Sequence, residues 1–516
     1  MARENIDFSA KHNYVISEYR PPANLQEAVQ SGTPDQVLAF LEQGANANGQ
    51  MPQTKEPFLY YCLKQGELEK ASYLLAHHAD PYLTGISQTT IFDLALSQNS
   101  TVSLAFVLQH SDVAKWRKRY RKNSQPVVHR LAQSNQRRLL QMLLHYGWDI
   151  NQADQYGNTA LIEAVRQNNT AMLRYLIAQQ ADLYHKNEQA HDALYFAIKN
   201  QLPDALRVLL RAGINPQQRY EKNLTALMFA VTEKNLTAVQ WLLRAGSDIH
   251  AVNDEGENAL VLALQRRNYR VDIFESLLKR GADANSLNKR GQSILAQAVQ
   301  ERCYACVDLL LAHAARVNAG GHHRKPSFDI YSWPPLFWAV SQQDPYLVEK
   351  LLAAGANIHQ RRSRDQATVL FVAVTDATAD ANMVRLLIKH GAKVNVMDKD
   401  HWPLLVKASA HSGIAVLTAL IDAGADVNKA NWHGWTPLMA AAQVGSSEKA
   451  SLLLKQGAHV NARSRQGWTA LSEAKRAGHF DIVALLAKAG GVDPVNVQPK
   501  TRKDRGKLKI EIKVGD

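Results

Sequence analysis

The chain has 516 residues, of which 46% are apolar, and its formal net charge is +13. This apolar content is ordinary for folded proteins and argues against global disorder. The cysteines, Cys62, Cys303 and Cys306, are too few and of odd number for a disulfide framework, which favours a reducing compartment. The N-terminus lacks an apolar secretion signal, and no apolar run reaches the length of a membrane helix. We therefore expect a cytoplasmic protein without membrane insertion, with secretion by a signal-less route left open.

The charge is unevenly distributed along the chain. Residues 1–110 contain 6 Lys and Arg against 11 Asp and Glu, whereas residues 111–146 contain 9 against 1. A local basic cluster says more about binding partners than the net charge does.

Residues 1–22 follow no repeating pattern and are predicted to be an N-terminal lead or cap. From about residue 23 to about residue 500, a recurring position that is usually glycine marks a period close to 33, with a few short insertions. A period of this size indicates a stacked array of repeats. The marks are Gly147, Gln180, Gly213, Gly246, Gly281, Ala314, Gly355, Gly391, Gly424, Gly457 and Gly490.

Each unit contains two short helical segments and a turn. The segment TPLMAAA at 436–442 places Leu and Ala on one helical face, and KASLLLKQG at 449–457 ends in the glycine expected after a helix. The segment DVNKANWHG at 426–434 has the composition of a turn. Helices this short are not stable alone, so neighbouring units must bury each other's Leu residues.

These residues resemble the ankyrin repeat, whose units contain T-P-L-H-x-A-A and a second helix ending L-L-x-x-G-A-D-V-N. The resemblance implies an all-α ankyrin-repeat solenoid, a curved superhelix in which each 33-residue unit has a hairpin and two antiparallel helices. The concave side would be lined by hairpin tips and first helices. About fourteen units fall into divergent N-terminal (23–124), central (125–333) and C-terminal (334–500) groups, followed by a basic tail, 501–516.

Motifs that would support catalysis or metal binding are weak. The Cys-x-x-Cys at 303–306 has redox spacing, but the repeat register gives its second cysteine a buried helix position, which favours a structural role. The histidine pairs at 77–78 and 322–323 lack companions at ligand spacing. No nucleophile-elbow, phosphate-binding or zinc-peptidase motif is present. We expect no enzyme activity, no metal and no cofactor.

The segment KWRKRYRK combines six basic residues with two aromatic residues and is predicted to be a basic hairpin. It suits three uses: a solvated charged loop, a site for an acidic protein, or a site for nucleic acid or an anionic membrane surface. Its residues are Lys115, Trp116, Arg117, Lys118, Arg119, Tyr120, Arg121 and Lys122.

Tryptophan recurs at one position of the repeat. Trp402, Trp435 and Trp468 are 33 residues apart, each just before a first helix. The resemblance implies that this hairpin position often contacts partners, and packing on the next hairpin is the alternative. We predict an exposed aromatic strip with a polar rim. The predicted partner-binding residues are Trp333, Lys399, Asp400, Trp402, Trp432, His433, Trp435, Arg465, Gln466 and Trp468.

The sequence therefore predicts a protein–protein interaction module. It would be a scaffold or inhibitor, monomeric by itself, that holds a protein partner on its concave or hairpin face. Two alternatives stay open: binding of nucleic acid or an anionic surface through residues 115–122, and a host-directed bacterial effector that acts by binding.

Overall fold

A computed structural model of the chain describes residues 20–85, 88–120, 125–265, 269–320, 333–362, 365–375 and 379–493. These residues contain 29 α-helices, and their extended pairing is confined to five isolated bridges within hairpins. The chain divides into two compact units, residues 1–215 and 216–516. The division falls inside the group of repeats that the sequence places at 125–333.

The first unit contains six helix pairs and one additional helix. Its helices are α1 Leu25–Ser31, α2 Pro34–Glu42, α3 Phe58–Gln65, α4 Leu68–Ala76, α5 Ile91–Ser97, α6 Thr101–Gln109, α7 Val113–Tyr120, α8 Val127–Gln133, α9 Arg137–His145, α10 Ala160–Arg166, α11 Thr170–Ala178, α12 Ala193–Lys199 and α13 Pro203–Arg211. The pairs α1–α2, α3–α4 and α5–α6 show that the divergent stretch 23–124 also builds helix pairs.

The second unit contains eight helix pairs among its described residues. They are α14 Ala226–Thr232, α15 Leu236–Arg244, α16 Ala259–Ala263, α17 Val271–Lys279, α18 Ile294–Gln300, α19 Tyr304–Ala312, α20 Pro335–Ser341, α21 Pro345–Ala353, α22 Val369–Thr375, α23 Ala381–Lys389, α24 Leu404–His411, α25 Ile414–Asp422, α26 Pro437–Val444, α27 Ser447–Lys455, α28 Ala470–Ala477 and α29 Phe480–Lys488.

The pair α26–α27 shows why the sequence forms helices at these places. The Thr436 hydroxyl accepts a hydrogen bond from the backbone N–H of Met439, and Pro437 opens the helix with a backbone angle that suits its first turn. Gly445 ends α26 in the left-handed conformation, and Ser446 caps α27. The tight connection makes the two helices antiparallel neighbours.

The helices stack in two layers within each unit. In the second unit, α26 packs between α24 and α28, and α27 packs between α25 and α29. Leu438, Ala441 and Leu453 are buried between neighbouring pairs, and each such leucine stabilises the stack by about 1.5–3 kcal/mol. The core is therefore shared between neighbours, which confirms the all-α repeat solenoid predicted from the sequence.

Two of the three cysteines form a disulfide. The bond joins Cys303 and Cys306 at the first turn of α19, although the sequence predicts no disulfide framework. Both residues are buried, in agreement with a structural role. Cys62 is a free thiol in the core, and burial raises its pKa to about 12, so it stays protonated at neutral pH.

Several predicted segments lie outside the described residues. They are most of the N-terminal lead 1–22, Arg121 and Lys122 of the basic segment, the histidine pair at 322–323, and the basic tail 501–516.

Candidate protein-binding surfaces

The hairpins that carry the tryptophans share one backbone structure. The Asn431 Oδ1 accepts hydrogen bonds from the backbone N–H groups of His433, at 3.0 Å, and Trp435, at 2.9 Å. One repeat earlier, the Asp398 carboxylate accepts from the N–H of Trp402 at 2.8 Å. Short polar side chains form such turns because they reach the backbone a few residues ahead. These hydrogen bonds therefore hold the backbone at Trp402 and Trp435 in place.

Neighbouring hairpins are bonded to one another. The backbone N–H of Arg465 donates to the carbonyl of His433 at 2.9 Å, and that of Lys399 donates to Asp365 at 2.9 Å. Gly434 has φ +75° and lies so close to the next hairpin that a Cβ there would approach the Cα of Ser464 to 3.0 Å. Glycine is required at this position by its left-handed conformation and by the short contact. The segments that carry Trp402 and Trp435 are also joined, because the backbone N–H of Asp426 donates to the Asn395 Oδ1 at 2.9 Å, so the hairpins form a linked row.

The tryptophans of this row differ in exposure. Trp435 is only 4% exposed, so the prediction of a continuous exposed strip is wrong at its centre. Trp402 and Trp468 are half-buried, and each lies beneath a cation of its own first helix. The Lys407 ammonium is 4.8 Å from the ring centroid of Trp402, and the Arg476 guanidinium is 5.7 Å from that of Trp468. These cation–π contacts cover part of both rings.

The repeat of Trp435 has no cation at the position of Lys407. The residue there is Ala440, which is fully buried in α26 and too short to make the cation–π contact that Lys407 makes with Trp402. The burial of Trp435 leaves its indole Nε1 without a hydrogen-bond partner among the described residues, and the Nδ2 of Asn431 is in the same situation.

Trp333 is packed rather than free. It is half-buried, the Arg362 guanidinium lies 4.8 Å from its ring centroid, and the ring of Trp338 is 5.3 Å away. This tryptophan therefore offers little free aromatic surface.

Trp432 is the exposed tryptophan of the row. Its side chain is 57% exposed, and its ring centroid lies 5.8 Å from that of His401 and 5.3 Å from that of His433. His401 was not predicted from the sequence. It stands where the next hairpin has Gly434 and has φ +58°, so a bulky residue at a glycine position was the available signal. We call these three rings, with the exposed side chains of Lys399, Asp400, Arg465 and Gln466, the Trp432 patch.

The segment predicted to be a basic hairpin is a helix, so this prediction is wrong. Residues 113–120 form α7, and its two aromatic residues, Trp116 and Tyr120, are buried. Trp116 stacks on Phe92 with ring centroids 5.3 Å apart, and its Nε1 donates to the Ser111 hydroxyl at 2.7 Å. The Tyr120 hydroxyl donates to the Asp93 carboxylate at 2.5 Å, and burial together with that carboxylate raises the pKa of Tyr120.

Helix α7 occupies a hairpin position of the array. In the usual repeat an asparagine links the hairpin to the next unit, as Asn428 Nδ2 donates to the carbonyl of Gly457 at 3.0 Å. The Arg117 guanidinium makes the equivalent bond to Gly147 at 3.0 Å. Because α6 packs directly against α9, α7 lies outside both helix layers.

The buried histidine of the first unit, His129, has a structural role. His129 is buried, and its Nε2 lies 2.9 Å from the Gln152 carbonyl oxygen. Burial lowers the pKa of His129, so its imidazole is neutral at pH 7. Nowhere in the described ranges do three His, Cys, Asp or Glu side chains converge as a metal site would require. The described helices also include none with the length and apolar character needed to cross a membrane.

The stacked helix pairs and the hairpins that connect them define a helical-repeat protein. Comparison with known protein families gives a matching description, "Ankyrin repeats (3 copies)", at residues 128–220, 227–320, 336–431 and 408–497. These matches cover more than half of the chain, which therefore belongs to the ankyrin-repeat family. Ankyrin repeats are generally protein–protein interaction modules, and the family is typically non-catalytic.

Proposed function

We propose that this protein is a non-catalytic scaffold that binds a protein partner on the hairpin row of residues 399–468, with the Trp432 patch as its main contact. The exposure of Trp432 carries the proposal. A largely solvent-exposed indole with two further rings around it is costly in water, and such patches commonly mark interaction sites.

The surroundings of Trp432 have the composition of a binding surface. Lys399, Asp400, Arg465 and Gln466 provide a polar rim of both charges around an aromatic centre. The bonds between neighbouring hairpins order the backbone that carries the rings before binding, which reduces the entropy lost on association. The exposed edges of Trp402 and Trp468 would extend the contact to either side.

A matched pair of alanine variants tests this proposal. Trp432→Ala removes the central ring, whereas Tyr156→Ala removes an equally exposed ring, 61% exposed, from a hairpin of the first unit. Proteins captured from extracts of the cell that makes this protein would be quantified by mass spectrometry for the wild type and both variants. The affinity of the main partner would then be measured with purified components.

We expect Trp432→Ala to weaken that affinity about tenfold or more, as hot-spot tryptophans do. Tyr156→Ala should bind like the wild type. Because Trp432 is exposed, its replacement should leave the unfolding curve unchanged. Wild-type affinity in the Trp432→Ala variant would disprove the proposed contact.

A further inference from the structure

We propose that α7 is a second interaction surface, which binds an acidic segment of a polypeptide. It belongs to the first unit and does not depend on the Trp432 patch. The proposal rests on three features of α7: its uncompensated charge, its anchored backbone and the burial of its aromatic residues.

The helix α7 presents a cluster of exposed cations. Lys115, Arg117, Lys118 and Arg119 are all exposed, and within the described residues no carboxylate lies at ion-pair distance from any of them. Their polar contacts are neutral: the Arg119 guanidinium donates to the Tyr82 carbonyl at 3.2 Å, and the Lys115 ammonium lies 5.2 Å from the Tyr82 ring centroid. Such a patch attracts negatively charged partners.

The one carboxylate of this segment is already engaged. The Asp112 carboxylate accepts hydrogen bonds from the backbone N–H groups of Ala114, at 2.8 Å, and Lys115, at 3.4 Å. It stabilises the start of α7, where a negative charge is favoured, and it does not cover the cations further along the helix.

The helix is held firmly by rings from three neighbouring segments. The Tyr82 and Trp116 centroids are 4.7 Å apart, and Phe92 stacks between Trp116 and Trp148, at 5.3 and 5.5 Å. Aromatic contacts of this kind stabilise packing beyond the effect of the area they bury. The backbone beneath the cations is therefore ordered in the free protein, so binding costs less conformational entropy.

Burial of the aromatic residues favours a peptide over nucleic acid. Proteins that bind single-stranded nucleic acid stack bases on exposed rings, and α7 presents no such ring because Trp116 and Tyr120 are buried. The eight residues of α7 span about 12 Å, the length of about four residues of extended peptide. Arginine pairs well with carboxylates, with which it forms two parallel hydrogen bonds.

The experiment uses the full chain and a fluorescent oligoglutamate peptide, with binding measured by anisotropy at several salt concentrations. The test variant carries Lys115→Gln, Lys118→Gln and Arg119→Gln, and it keeps Arg117 because that residue links to Gly147. The control variant removes the same charge from three exposed cations of the same unit that form no ion pair among the described residues. These are Arg174→Gln, Lys186→Gln and Arg211→Gln.

The wild type should bind the peptide, more weakly as salt rises. If each of the three lost contacts has the strength of a surface ion pair, the test variant should bind about tenfold more weakly, and the control variant should bind like the wild type. A charge-conserving variant, Lys115→Arg with Lys118→Arg and Arg119→Lys, should keep most of the affinity. All variants should melt close to the wild type, because the substituted residues are exposed and the test variant loses only one surface hydrogen bond, that of Arg119 to the Tyr82 carbonyl.

Three results would overturn the proposal. The first is an equal loss of affinity in the test and control variants, which would indicate only a net-charge effect. The second is tighter binding of duplex DNA than of oligoglutamate, with a salt slope approaching about −3.6 for four phosphate contacts, which would assign α7 to nucleic acid. The third is binding to phosphatidylserine vesicles without binding to the peptide.

Discussion

The burial of Trp435 makes a quantitative prediction about stability. Replacement of a buried tryptophan by alanine costs about 3–5 kcal/mol, because apolar contacts are lost and a cavity remains. The wild-type indole also buries an N–H that has no partner among the described residues, and removal of such a group returns about 1–3 kcal/mol. We therefore expect Trp435→Ala to lower the free energy of unfolding by about 2 kcal/mol.

A second substitution separates the two contributions. Trp435→Phe keeps an aromatic ring but removes Nε1. The free-energy cost of the smaller cavity is therefore offset by the free energy gained when the unpaired donor is removed. The free energy of unfolding should stay within about 1 kcal/mol of the wild type. Trp432→Ala, at the exposed ring of the same hairpin, should change it by less than about 0.5 kcal/mol.

Urea unfolding of the full chain, followed by circular dichroism, measures these differences. Because repeat arrays can unfold in stages, the comparison should use the transition that responds to Trp435→Ala. Equal midpoints for Trp435→Ala and Trp432→Ala would refute the packing role of Trp435. A Phe variant as unstable as the Ala variant would refute the argument about the unpaired N–H.

Two further predictions concern the hairpin row and pH. Gly434→Ala should destabilise the protein more than Gly424→Ala in urea unfolding. Both glycines have positive φ, which costs alanine about 1–2 kcal/mol, but only at Gly434 does the new Cβ meet a neighbouring backbone. Because burial lowers the pKa of His129, the unfolded state binds the proton more readily, and stability should fall as pH drops below about 6.5. His129→Gln should show a smaller fall between about pH 7.5 and about pH 5.5, and equal pH dependence in both proteins would contradict this assignment.

The sequence predicts the architecture well because the 33-residue period and the ankyrin-like segments are local signals. It does not predict the different environments of Trp402 and Trp435, which occupy the same hairpin position. Lys407 covers part of the ring of Trp402, whereas the same position one repeat later is Ala440, which carries no charge. Periodicity specifies a position in the repeat, whereas burial also depends on the residues packed around that position.

The prediction of a hairpin for the basic segment is wrong, because the spacing of its two aromatic residues indicates a helix. Trp116 and Tyr120 are four residues apart, so they lie on the same face of a helix, and both are buried. That spacing was the available signal. Which neighbouring rings receive this face could not be predicted, because the ring of Phe92 comes from a different repeat.

The presence of α7 in a hairpin position bears on how such an array can be redesigned. The array keeps its contacts on both sides because the Tyr82 hydroxyl donates to the Asp112 carbonyl at 3.1 Å and Arg117 bonds to Gly147. The segment between these connections is a helix here and a hairpin in other repeats, and its buried face, Trp116 and Tyr120, packs on Phe92 of the helix beneath. A helix grafted at a hairpin position would therefore need two connections at its ends and a buried face that matches the helices beneath, whereas its exposed side chains could be chosen freely.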